Sequence, residues 1–130
     1  MAARVADAVC VHGHDGIEEP TNVKFDIGRY GIDIVASARH ADDLVLTGPL
    51  PRNMATTLQL CRAGMPDPKL VIAVGACAIS GSPFEDSTAL ERGFLDRFRP
   101  TLYVPVCPPH PLTLSAGWWI CSASRAEIFQ

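Results

Sequence analysis

Thiols and imidazoles carry most of the chemical possibilities of this chain, and their spacing singles out three places. The run Lys69-Leu70-Val71-Ile72-Ala73-Val74-Gly75-Ala76-Cys77-Ala78 is apolar, breaks on a glycine and delivers a cysteine at its tip. A second run of the same design, Leu102-Tyr103-Val104-Pro105-Val106-Cys107-Pro108-Pro109, also ends on a cysteine. The third place is the loop Cys10-Val11-His12-Gly13-His14-Asp15-Gly16, where three potential metal-binding side chains fall within five residues beside two glycines. Such a loop either wraps backbone closely round a small object or is a polar turn with incidental histidines. Each cysteine taken singly could be an inert buried side chain. Thiolates gathered in one place select zinc, copper(I) or iron–sulfur clusters.

The elements that must position these residues follow from periodicity. Residues 70–74 are small or β-favouring apolar side chains, which suits a strand buried on both faces. Further strands are predicted at 4–9, 32–36 and 44–46, with Gly31 marking a turn before the second and Gly48 closing the third. A helix is predicted over 53–63, with Asn53 as N-cap and Met54, Leu58 and Cys61 on one apolar face, stopped by Gly64 and Pro66. On that face Cys61 is read as core filling. Residues 80–83 read as a loop, 88–98 as a helix with Leu90, Phe94 and Leu95 inward, and 112–120 as a last helix. Trp118 and Trp119 on it are either core or a partner surface. Strands alternating with helices indicate an α/β three-layer sandwich with a mainly parallel sheet. Its ligands would sit beyond the carboxyl ends of the strands, where Cys10, Cys77 and Cys107 all fall.

Length and composition narrow the classes. A chain of 130 residues is the size of one domain, and 48% hydrophobic with 19% charged residues argues against disorder. The net charge of -3, with scattered Lys and Arg, gives no electrostatic footprint for a nucleic-acid partner. The longest apolar run is about half the roughly 20 residues of a spanning helix. Met1-Ala2-Ala3-Arg4-Val5 lacks a secretory pattern, which leads to the expectation of a cytoplasmic chain with reduced thiols. Five cysteines, an odd count, then favour structural thiols or metal ligands over a disulfide framework. No Gly-x-Gly-x-x-Gly opens a helix and no Walker loop is present, so a nucleotide or flavin binder would rest on fold analogy alone.

Over residues 29–117 the sequence resembles a known family through several short motifs in order: Arg29-Tyr30-Gly31-Ile32, Ala36-Ser37-Ala38-Arg39-His40-Ala41-Asp42, Leu46-Thr47-Gly48-Pro49, Arg52-Asn53-Met54, Met65-Pro66-Asp67-Pro68-Lys69, Val74-Gly75-Ala76-Cys77-Ala78 and Val104-Pro105-Val106-Cys107-Pro108-Pro109. It is similar to the small iron–sulfur subunit shared by respiratory complex I (NADH:quinone oxidoreductase, 20 kDa-type subunit) and the membrane-bound nickel–iron hydrogenases of the hydrogenase-4 and formate hydrogenlyase type. The resemblance implies a flavodoxin-like fold in a single domain over 1–130, with 1–28 a divergent ligand loop, 29–117 the matching core and 118–130 a helix end and tail. It also implies one 4Fe-4S cluster and an electron-transfer role, as a non-autonomous subunit of an oxidoreductase. Implied partners are a large hydrogenase-like or quinone-site subunit, a ferredoxin-like iron–sulfur subunit and membrane subunits. The place would be peripheral, on the inner face of the cell membrane.

Cys77 and Cys107 match two of the family's cluster ligands. The other two come from an N-terminal pair, Cys-x-x-Cys in hydrogenases and adjacent cysteines in complex I. Here Cys10 stands where one belongs, and neither Val11 nor Gly13 can be the second; the nearest candidates are His12 and His14. Either a histidine completes a Cys3His site, or the cluster is altered or absent and the chain is a structural, interaction subunit of the same kind of complex. The intact motifs round Cys77 and Cys107 favour the first.

Overall fold

The computed structural model describes residues 3–8, 27–35, 37–67, 69–81, 84–91, 93–105 and 110–128. Cys10, His12, His14 and Cys107 lie outside the described residues, as does the whole loop 10–16.

Five strands build the sheet: β1 (Ala3–Ala8), β2 (Ile32–Val35), β3 (Asp43–Thr47), β4 (Leu70–Val74) and β5 (Leu102–Val104). All neighbouring pairs are parallel, in the order β2-β1-β3-β4-β5. That order is the flavodoxin-like one, with its switch point between β1 and β3. The helices are α1 (Arg52–Gly64), α2 (Ala76–Ser80), α3 (Phe94–Phe98) and α4 (Pro111–Ile128), with short 3-10 turns at Ile27–Tyr30 and Ala38–His40.

Alternation along the strands divides the core in two. Val45, Ile72, Val74 and Val104 point to one face, where Leu114 and Trp118 of α4 cover them. Leu44, Leu46 and Val71 point to the other, against Leu58 of α1 and Met65, with Leu95 and Phe98 of α3 packed alongside. Both faces are therefore buried, which is why β3 and β4 read as nearly unbroken apolar runs. At Gly117 a Cβ would come within 3.1 Å of Leu102, so the glycine lets α4 lie close on β5. Trp118 is core, and Trp119 beside it is exposed.

The expectations differ from the fold at four points. Pro51, not Asn53, is the N-cap of α1, and Asn53 is exposed in the first turn. Proline at this position needs no N–H partner and its φ of -77° leads directly into the helix. The helix expected over 88–98 shrinks to α3, because the backbone at 89–91 bonds elsewhere: Arg52 N–H donates to Ala89 O at 2.9 Å and Glu91 N–H to Leu50 O at 2.9 Å. The segment expected as a loop at 80–83 begins inside the helical turn α2, which ends on Ser80. The last helix runs on to Ile128 rather than ending at 120. Among the described residues, no helix is long and apolar enough to cross a membrane.

Candidate functional site at the carboxyl edge of the sheet

The parallel register brings every strand's carboxyl end to one edge. Thr47 pairs with Val74, and Val74 pairs with Val104, so the ends of β3, β4 and β5 form one level row. Cys77 lies three residues beyond Val74, and Cys107 lies three residues beyond Val104 in sequence. Ala8, the last residue of β1, pairs with Leu46, and Cys10 follows it by two.

Gly75 makes the turn at Cys77. Its φ of 90° and ψ of 153° belong to a region that is essentially glycine's own. Its N–H donates to Val104 O at 2.8 Å, which ties the exit of β4 to the end of β5. Its carbonyl accepts from Ala78 and Ile79 N–H at 3.1 and 3.2 Å and so starts α2. Cys77 sits in that single turn, half-buried and outside any disulfide. Gly81, left-handed at φ 82°, ends α2 with its N–H on Cys77 O at 2.9 Å. Both flanks of Cys77 are thus fixed by backbone hydrogen bonds. Beyond the neighbouring strand, His110 accepts the Leu112 N–H on Nδ1 at 3.2 Å and caps α4 three residues after Cys107 in sequence.

Two polar side chains of β3 face α4 and were missed from sequence. Asp43, fully buried at the start of the strand, accepts Trp118 Nε1–H at 2.8 Å. Thr47, at the end of the strand, has a buried hydroxyl with no hydrogen-bond partner among the described residues. The signal for Thr47 was its place next to Gly48 at the close of an apolar run, where it reads as the first residue of a turn. Of the expected ligands only Cys77 is described, and among the described residues no three His, Cys, Asp or Glu side chains come together. Cys61 is half-buried on α1, far along the chain from this edge and outside any disulfide.

Residues 15–118 match the family profile described as the 20 kDa subunit of NADH ubiquinone oxidoreductase. A probable membrane-bound hydrogenase subunit, mbhJ, of Pyrococcus furiosus is 41% identical over 108 residues, which is 82% of this chain and 64% of that one. An NADH-quinone oxidoreductase subunit of Heliobacterium modesticaldum is 41% identical over 97 residues, 73% of this chain and 55% of the relative. The chain therefore spans less than two-thirds of the length of these relatives. A solved chain from the membrane-bound sulfane sulfur reductase, an archaeal respiratory membrane complex, superposes with a TM-score of 0.81 over 89% of this chain and 66% of that chain. At 24% identity it bears on the fold, which is the same α/β sandwich. The motifs at 29–117, the parallel flavodoxin-like sheet and the match over 15–118 agree: this chain belongs to the family of the 20 kDa subunit of NADH ubiquinone oxidoreductase, together with its membrane-bound hydrogenase relatives.

Proposed function

We propose that this chain is the electron-transfer subunit of a complex I-like or membrane-bound hydrogenase-like oxidoreductase and holds one 4Fe-4S cluster at the carboxyl edge of its sheet. The observation that carries the reading is the level register of Val74 and Val104, each three residues ahead of a cysteine. Adjacent strands stand about 4.8 Å apart, so β1 and β4, with β3 between them, are separated by roughly 10 Å. The turn that carries Cys77 touches β3, and Cys10 and Cys107, two and three residues past Ala8 and Val104 in sequence, would complete the set over the end of that strand. The described residues suit such a group: a half-buried thiol on a fixed turn, a glycine that lets backbone approach, and a buried hydroxyl left unpaired. The ligand set is Cys10, Cys77 and Cys107, with His14 or His12 as the fourth.

Held by Cys77, Cys10 and Cys107 with His14 or His12, the cluster would supply one-electron transfer between a ferredoxin-like iron–sulfur subunit and the large hydrogenase-like or quinone-site subunit. The chain's own residues hold the geometry. Gly75 and Gly81 fix the backbone on either side of Cys77, His110 caps the helix that follows Cys107, and α4 seals one face of the sheet against water. No general acid or base is required. The single domain would sit peripherally on the inner face of the membrane, held by the membrane subunits of the complex.

Anaerobically purified complex should lose about four irons and four labile sulfides, with one EPR signal of the reduced state, when Cys77 is replaced by Ala. Equal iron in wild type and Cys77→Ala would mean that the ligand set is wrong; a wild-type complex with no iron on this chain would overturn the cluster. The second reading, a cluster-free interaction subunit docking the same partners, would then stand; the single cysteine among residues 10–14 is the observation that favours it.

A further inference from the structure

We infer that Thr47 is a potential-setting residue whose hydroxyl donates a hydrogen bond to a sulfur of the bound cluster, either a sulfide or a ligand thiolate. The inference rests on the cluster reading above and adds a residue to it. Thr47 Oγ1 is buried and has no partner among the described residues. Leaving a hydroxyl buried without a partner is costly, and native chains pair nearly all such groups. An exception therefore points to a partner from outside the described set.

Position says what that partner is. Thr47 ends β3, the strand that lies between β1 and β4 in the sheet, and so between the strands that lead to Cys10 and Cys77. It also lies at the β1/β3 switch point, where flavodoxin-like sheets take their ligands. Along β3 its side chain shares the parity of Asp43 and Val45, and Val74, its partner across the ladder, faces the same way. The hydroxyl thus stands at the carboxyl end of the sheet, on the strand next to the one whose exit turn carries Cys77.

The sign of the effect follows from charge. The reduced cluster carries one more negative charge than the oxidised one, so a hydrogen bond to its sulfur is stronger after reduction. Removing the donor disfavours the reduced form by about threefold to tenfold, tenfold being about 59 mV for a one-electron couple.

The test uses the intact complex with Thr47→Val, which keeps shape and branching, and Thr47→Ser, which keeps the hydroxyl. The expected result is a lower midpoint potential for Thr47→Val, recovery in Thr47→Ser, and a deuteron coupling in pulsed EPR after exchange into heavy water that only Thr47→Val loses. An unchanged potential and coupling in Thr47→Val would overturn the inference while leaving the cluster in place. Loss of the cluster from both variants would assign Thr47 to packing alone and overturn it equally. Loss from Thr47→Val with retention in Thr47→Ser would support it. A wild-type complex without the cluster signal would instead remove the reading on which the inference stands, before any variant is compared.

Discussion

The two ends of β3 treat a buried polar side chain in opposite ways. At the start, Asp43 is fully buried and accepts the Trp118 indole N–H at 2.8 Å, so α4 is fastened to the sheet through a pair made within the chain. Four residues on, at the carboxyl end and facing the same layer, the Thr47 hydroxyl is buried and unpaired among the described residues. Paired polar groups mark where the chain supports itself. The unpaired one marks where it has kept a donor for something else. Cys77, the glycine turns at Gly75 and Gly81 and the switch point all lie at that second end.

The sharpest way to separate the ends is to act on the thiol. Cys77→Ala should remove the cluster signal completely while leaving unfolding of the cluster-free chain unchanged, because Cys77 is only half-buried and lies beyond the paired core. Cys61→Ala should leave iron content as it was; equal losses from both would mean that the ligand set is wrong. Next in size is Gly75→Ala. A Cβ at φ 90° and ψ 153° carries strain of about 1 to 3 kcal/mol. Denaturant unfolding should show that loss, with reduced cluster occupancy because Cys77 follows two residues later. At the other end, Trp118→Phe removes the donor to Asp43 and should cost about 2 kcal/mol, with the midpoint potential of the cluster unmoved. A shifted potential in Trp118→Phe would break the division between a structural end and a redox end.

Much of this arrangement was legible beforehand, and what was not has identifiable causes. The strand at Leu70–Val74 and the parallel sandwich followed from short apolar runs punctuated by Gly31, Gly48, Gly64 and Gly75, signals that are local. Cys77 was placed at a strand end for the same reason. The helix expected over 88–98 failed because residues 89–91 bond across to Leu50 and Arg52, a long-range competition that no window of sequence contains. The α1 cap failed because Asn is the locally preferred N-cap, whereas the helix starts one residue before it, at Arg52, whose N–H is met by Ala89 O from a distant segment. The Asp43–Trp118 pair spans 75 positions and has no local signature. Thr47 was hidden by its neighbour, since Thr before Gly-Pro reads as a turn, whereas the ladder to Val74 keeps it in the strand.

The smallest expected effect tests the comparison most directly, because it should carry the opposite sign. In the full chain stripped of its cluster, Thr47→Val replaces an unpaired buried hydroxyl by a methyl of nearly the same shape. Exchanging an unsatisfied polar group for an apolar one is neutral to stabilising, so the variant should gain up to about 1 kcal/mol in denaturant unfolding. Trp118→Phe measured in the same series should lose stability, although both changes delete one hydrogen-bonding group from the α4 face of the same sheet. With cluster bound, the gain at Thr47 should shrink or reverse, since the wild-type hydroxyl then has its partner. A loss of stability for Thr47→Val in the stripped chain would mean that Thr47 is already paired within the protein, and the two ends of β3 would then be alike.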